Sequence, residues 1–406
     1  MAEAKKTTLG LIPKLIIAII LGILVGKYLP PVITRIAVTF STIFGSFLSF
    51  IIPLMILAFV TKGIAELAEG AGKLLACTAI LAYASTLIAG SLSWVMSKTF
   101  FLSFVTKDLA EQIKHASDNS LEPVFTVPLN PLLEVTGALV FAFMMGICIS
   151  WLRSKGKGEY LYNIFDEFNM VIVKVLEVAI IPLLPFFIFG NFANMAYSGS
   201  VFIVLSIFWK IFLCIIILHL LYITAMFLVA GTYRGQAPFG WMKTQVTGYM
   251  TAIGTQSSAA TIPVNVECAK KNGVSRAIRE FVVPLCATVH MPGSMITLTA
   301  CSFTMLVMFD MPHDFLLMFK FIAILGIAMV AAPGAPGGAV MSALPFLPVI
   351  GVESSGVMAT LLISLYLTQD SFGTAANVSG DNAIALIMDK FYYEKILKKP
   401  RPADED

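Results

Sequence analysis

The chain has 406 residues, 58% of them hydrophobic and 13% charged, with a formal net charge of +3. A soluble domain carries about 25% charged residues, so the composition excludes an ordinary soluble protein and describes an all-α integral membrane protein. The near-balanced charge, with no low-complexity tract or nucleic-acid motif, gives no reason to expect a nucleic-acid partner; membrane lipid and a small molecule are the partners to look for.

Crossing about 30 Å of hydrocarbon takes roughly 20 apolar residues. Eight segments qualify, at 10–29, 33–61, 74–104, 131–152, 160–193, 200–231, 277–310 and 355–391. The first follows Lys5 and Lys6 as a signal peptide would. No small-residue cleavage site comes after it, and further spans do, so it is expected to be a retained first helix. Basic residues gather in alternate connections: Lys62 and Lys73; Arg153, Lys155 and Lys157; Arg234 and Lys243; Lys270, Lys271, Arg276 and Arg279; and the tail after Lys395. The positive-inside rule then places both termini in the cytoplasm of a multi-pass protein of the cell (inner) membrane, with the loop 105–130 outside. The six cysteines are scattered singly with no CxxC pair. They read as small buried hydrophobes, and metal coordination by cysteine and histidine is not expected.

Two further segments, 241–273 and 316–350, are only partly apolar and are interrupted near their middles. Gly254 to Pro263 breaks the first, and the run Ala332-Pro333-Gly334-Ala335-Pro336-Gly337-Gly338 breaks the second. A straight span would not tolerate that second run, because proline deletes donors and glycine weakens a helix. Basic residues flank the first segment at both ends, so a hairpin that enters and returns on the cytoplasmic side keeps the charge count consistent. The second would enter from outside. The expected architecture is therefore eight transmembrane helices plus two re-entrant helical hairpins in inverted repeats, and paired interrupted segments point to a transporter's binding site.

Ser257 and Ser258 stand at the first break, just before a half-helix. Hydroxyls and unpaired N–H groups at a helix N-terminus favour a carboxylate; the same serines also serve as caps. The second tip, with Ala335, Pro336 and Gly337, offers backbone groups and the flexibility of a gate, or simply a turn. In the seventh span, Pro292 and Gly293 should unwind the helix beside His290 and Met291, freeing carbonyls as cation ligands. His290 reads either as a packed, hydrogen-bonded histidine or as a proton carrier. In the last span, Asp370, Thr374, Asn377 and Asp381 fall at offsets of four, three and four, on one helix face. Ionisable groups at membrane depth are costly and usually line a substrate or ion path. The competing reading pairs each aspartate with a buried lysine, chiefly Lys174 or Lys210, or leaves it protonated and neutral.

In order and spacing, these segments resemble the dicarboxylate/amino acid:cation symporters, the glutamate transporter family. Ser257-Ser258 resembles the first hairpin tip of that family and Pro336-Gly337 the second. His290-Met291-Pro292-Gly293-Ser294 occupies the place of its Asn-Met-Asp-Gly-Thr motif, and the last-span stripe matches from Asp370 to Asp381. The resemblance implies a homotrimer working by an elevator movement. Scaffold segments at 1–71 and 105–199 would hold the trimer, while 72–104 and 200–406 would carry substrate. It also implies that Asp370, Thr374 and Asn377 bind an amino acid whose carboxylate rests on Ser258 and the first tip. Asp381, with carbonyls of His290 and Asn377, would hold one sodium ion, and carbonyls near Met291 and the second tip another.

Two departures refine this. Acidic-substrate members carry an arginine where this chain has Gly373, so the bidentate clamp for a side-chain carboxylate is missing. A neutral substrate follows, and Ile262 to Asn265 with Gln369-Asp370-Ser371 resemble the serine/threonine:sodium branch. Glycine also leaves room for a larger side chain. His290 and Pro292 replace an asparagine and an aspartate that help form an additional sodium site, so that site is expected to be absent or altered. The expected function is thus a sodium-coupled symporter of a neutral amino acid, not an enzyme. The alternatives are a proton-coupled or dicarboxylate carrier on the same fold, and an ion channel. An aspartyl protease is excluded, because eleven residues along one helix separate the aspartates by ~16 Å, far beyond proton sharing.

Overall fold

The computed structural model describes residues 11–67, 73–105, 119–329 and 337–400, and every regular element among them is helical. In chain order these are α1 (Leu11–Tyr28), α2 (Pro31–Leu67), α3 (Lys73–Phe100), α4 (Val135–Ser154), α5 (Glu159–Val175), α6 (Ile181–Ser198) and α7 (Ser200–Arg234). Then follow α8 (Phe239–Thr255), α9 (Ser258–Lys271), α10 (Arg276–Val289), α11 (Pro292–Met308), α12 (Phe315–Ala328), α13 (Gly338–Ala343) and α14 (Val357–Phe391). Five stretches are long and apolar enough to cross a membrane among the described residues: Pro31–Lys62, Lys73–Ser103, Glu159–Ser198, Phe208–Arg234 and Arg276–Met308. The chain is thus an all-α, multi-pass membrane bundle. The other expected spans also form helices: α1 of 18 residues, α4 of 20, and α14 of 35 with a polar middle.

Local sequence explains the irregular joints. Helices α5 and α6 form one rod interrupted by a wide π-turn at Leu176–Ile180. Pro182 and Pro185 follow directly; each lacks an N–H and crowds the preceding turn, which the widened turn relieves. Helix α6 ends at Gly199 with φ 89°, and α7 ends at Gly235 with φ 71°, the left-handed conformation that glycine adopts at little cost. Between α8 and α9 the chain reverses at Gln256, with φ 54°, and Ser257 begins the return. Helix α12 starts on Asp314, whose side chain accepts from Leu317 N at 3.1 Å.

Helices α1, α2, α4, α5 and α6 pack on one another, with Phe44 and Phe187 rings 5.2 Å apart between α2 and α6. Residues 119–124 strap this group from one side: Leu121 N donates to Asn194 Oδ1 at 2.8 Å and Val124 N to Thr39 Oγ1 at 2.8 Å. Helix α14 lies at the centre of the second group, against α7, α8, α9, α10 and α11, while α3 packs on α11 and α12. Nearly all of α14 from Ala359 to Asp389 is buried, polar residues included. In a bilayer, lipid tails are as apolar as leucine, so apolar burial alone gives helices little reason to associate. The polar groups buried along α14 are therefore what distinguishes one register from another.

Candidate functional site

The site forms where α14 passes the break between α10 and α11. Helix α10 stops at Val289, His290 and Met291 are extended or irregular (φ −118° and −125°), and α11 restarts at Pro292. Proline suits this first position, since its missing N–H would be unpaired there anyway. The next two N–H groups, of Gly293 and Ser294, donate to Asn377 Oδ1 on α14 at 2.8 and 3.2 Å. Asn377 Nδ2 donates in turn to Ser294 Oγ at 3.0 Å, and the Tyr366 hydroxyl reaches the same oxygen at 3.0 Å. The Asn377 side chain, expected beside substrate, is therefore placed as a cap supplied by a neighbouring helix.

Close approach makes this possible. A β-carbon on Gly293 would lie 2.2 Å from the Gly373 carbonyl oxygen, so glycine is required for α11 to meet α14 backbone to backbone. A β-carbon on Gly373 would sit 3.5 Å from the Gly293 backbone, in ordinary contact. The room expected from Gly373 is accordingly not an open cavity in the direction a β-carbon would take; the α11 backbone fills it.

Asp381 lies 11 residues beyond Asp370 and is fully buried. Its Oδ1 is 2.9 Å from His290 Nδ1, while its Oδ2 has no hydrogen-bond partner. His290 Nε2 lies 3.0 Å from Ser85 Oγ on α3, and the Tyr222 hydroxyl on α7 donates to the Ser85 carbonyl at 2.7 Å. The lysine reading finds no support, because Lys174 and Lys210 are both exposed. A buried carboxylate oxygen without a partner is costly, and it is what a desolvated cation would satisfy. A hard monovalent ion takes oxygen ligands, and the broken segment at His290 and Met291 meets this carboxylate through the His290 ring. Among the described residues no cluster of three or more His, Cys, Asp or Glu side chains could hold a metal.

Asp370, one stretch toward the other end of α14, accepts from Gly337 N at 2.7 Å through Oδ2. Thr374, one turn on, is 5% exposed. Ala335 and Pro336 lie outside the described residues. At the α8–α9 turn, Ser257 caps α9 by accepting from Ala260 N at 3.2 Å, and Ser258 is buried. The structure thus gathers Asp370, Gly373, Thr374, Asn377 and Asp381 along one face of α14, with the His290 ring against Asp381.

Several polar partners escaped the sequence reading. Tyr366 lies four residues before Asp370 and extends the same stripe, a signal that was available. Ser85, Tyr222 and His219 were detectable only as polar residues inside apolar spans; His219 Nε2 lies 2.9 Å from the Gly293 carbonyl oxygen. A further network joins Gln245, Asn265 and Asn382, with Asn265 Nδ2 donating to the Val378 carbonyl at 2.9 Å.

The profile of the "Sodium:dicarboxylate symporter family" matches residues 11–391. The chain is similar to the "Neutral amino acid transporter B(0)" of Rattus norvegicus, 27% identical over 310 residues, 74% of this chain and 54% of the relative. The corresponding Bos taurus protein is 28% identical over 256 residues, 61% of this chain and 46% of the relative. The chain thus spans about half the length of these relatives. It is also similar to the "Serine/threonine transporter SstT" of Acinetobacter baumannii (strain AYE), 25% identical over 387 residues, 92% of this chain and 94% of the relative. With a family profile running from the first described helix to the end of α14, the chain belongs to the sodium:dicarboxylate symporter family.

Proposed function

We propose that this chain is a secondary active symporter that moves a neutral amino acid with sodium. The observation that carries the reading is the buried Asp381 carboxylate, one oxygen of which has no partner, set against the broken α10–α11 junction. Sodium is here cargo: Asp381 Oδ2 and main-chain carbonyls near His290, Met291 and Asn377 would replace its water. The amino group of the substrate would meet Asp370, beside Thr374, and its carboxylate would rest on Ser258 and the first hairpin tip. Ser257 supports that tip as a cap, and Ala335, Pro336 and Gly337 would close the second. Relatives named as transporters of neutral amino acids and of serine and threonine favour a neutral cargo. The glycine at 373, which brings no guanidinium, favours the same.

The topology that fits is eight spans plus two re-entrant hairpins, α8–α9 and α12–α13, with both termini in the cytoplasm of the cell (inner) membrane. The α1–α2 and α4–α6 group would be the scaffold of a homotrimer, and α3 with α7–α14 the moving body of an elevator. With proline at 292 and the His290 side chain engaged by Asp381 and Ser85, the additional sodium site of the family is expected to be lost or altered.

The test is uptake of labelled serine into liposomes bearing the purified chain. Uptake that needs an inward sodium gradient, and that alanine or threonine but not aspartate competes, supports the proposal. Uptake driven equally by a proton gradient without sodium, or competed by aspartate, favours the proton-coupled or dicarboxylate alternative. Currents without any amino acid favour a channel. Gly373→Arg should shift preference toward acidic substrates, and unchanged preference would count against the pocket assignment.

A further inference from the structure

We propose that the His290 imidazole is a specificity-determining, positioning residue for the coupling cation, holding Asp381 so that a single carboxylate oxygen is offered to it. The inference rests on the reading that Asp381 holds sodium, and it concerns the side chain of His290 rather than its carbonyl. Both groups are 0% exposed, and Asp381 makes no ion pair with lysine or arginine among the described residues. The imidazole is its one side-chain partner there, at 2.9 Å.

The direction of each hydrogen bond follows from chemistry. A carboxylate that faces a cation is ionised and can only accept. His290 Nδ1 must then carry the ring proton and donate to Oδ1. Nε2 becomes the acceptor, so the Ser85 hydroxyl at 3.0 Å must donate to it. The Tyr222 hydroxyl, donating to the Ser85 main-chain oxygen at 2.7 Å, fixes that serine in turn. Three helices, α3, α7 and α14, thereby specify a neutral ring of one tautomer. A β-carbon on Gly380 would lie 2.7 Å from His290 Cε1, so the glycine next to Asp381 is what lets the ring lie against α14. With Oδ1 already accepting from the ring, Oδ2 is the carboxylate oxygen left without a partner.

Partners of ligating carboxylates typically change metal affinity by about 10–100-fold when removed. Sodium affinity of the purified full-length chain is read as sodium-dependent thermal stabilisation, which follows mass action. Substrate affinity at saturating sodium is measured alongside. His290→Ala should raise the sodium half-saturation by roughly 10-fold or more, with substrate affinity at saturating sodium unchanged. His290→Asn puts an amide N–H close to where Nδ1 lies and should return sodium affinity most of the way. His290→Gln mimics Nε2 instead and should not.

A wild-type sodium titration in His290→Ala overturns the proposal, as do equal effects of asparagine and glutamine. A parallel loss of sodium and substrate affinity also overturns it, since that marks a merely structural residue. Should His290→Ala fail to fold, the asparagine–glutamine contrast decides alone. Asp381→Asn separates the two levels: if it leaves the sodium response intact, the cation site itself is misassigned. If it abolishes the response while His290→Ala leaves it unchanged, only the role of His290 falls.

Discussion

Helices α8 and α9 meet α14 through side-chain amides, whereas Gly337, just before α13, meets it through a backbone N–H. In the first, Gln245 Nε2 donates to Asn265 Oδ1 at 2.9 Å, and Asn382 Nδ2 donates to the same oxygen at 2.7 Å and also to Gln245 Oε1. Asn265 Nδ2 completes the set on the Val378 carbonyl. In the second, Gly337 N donates to Asp370 at 2.7 Å, and the outer arm is bonded to α3 by the Tyr83 hydroxyl on the Ala323 carbonyl at 2.9 Å. Parting α8 and α9 from α14 strands several buried amides at once; among the described residues, parting Gly337 from α14 strands one N–H and one carboxylate, both of which a substrate or water can satisfy. The expectation is that α8–α9 travels with α14 as one body and that the second tip is the part able to open.

The largest effect should come from Asp370→Ala, which removes both the partner of Gly337 N and the proposed counter-charge for an amino group. Hydrogen bonds to charged groups contribute about 1.5–3 kcal/mol, so substrate affinity should fall on the order of 100-fold and uptake should vanish. Calorimetric binding that matches wild type would remove Asp370 from the site. Next in size is Asn382→Ala, which leaves the buried Gln245 Oε1 without its donor, while Asn265 Oδ1 keeps only Gln245 Nε2, at about 1–3 kcal/mol. Its signature should be a lowered Tm with substrate affinity nearly kept. An Asn382→Ala protein as stable as wild type would break the contrast between the hairpins.

How much of this was legible in the sequence varied with the range of the interaction. Apolar runs and caps act locally, so span ends were placed within a few residues: 33–61 became Pro31–Leu67, and 200–231 became Ser200–Arg234. The break at Pro292 and the reversal at Gln256 were equally readable, since both arise from residues at the bend. The stripe from Asp370 to Asp381 followed from helical periodicity alone. What could not be read was which side chain meets which. His290 and Asp381 are 91 residues apart and Ser85 and His290 are 205 apart; no spacing rule joins them. The partners of Asn377 were hidden for the same reason: its place on the stripe is periodic, but its bonds to α11 depend on two glycines letting backbones touch.

The smallest predicted effect is also the one most specific to the second tip. Gly337 has φ 78°, and its N–H is the one held by Asp370. Alanine in the left-handed region costs roughly 1–2 kcal/mol. If the tip holds this conformation only when closed on α14, Gly337→Ala taxes the closed state and not the fold. Apparent substrate affinity should then weaken by about 5–30-fold, because binding must supply the strain, while Tm without substrate stays at the wild-type value. If the Tm falls instead and affinity holds, the left-handed turn is a fixed part of the bundle, and the second hairpin is as firmly built in as the first.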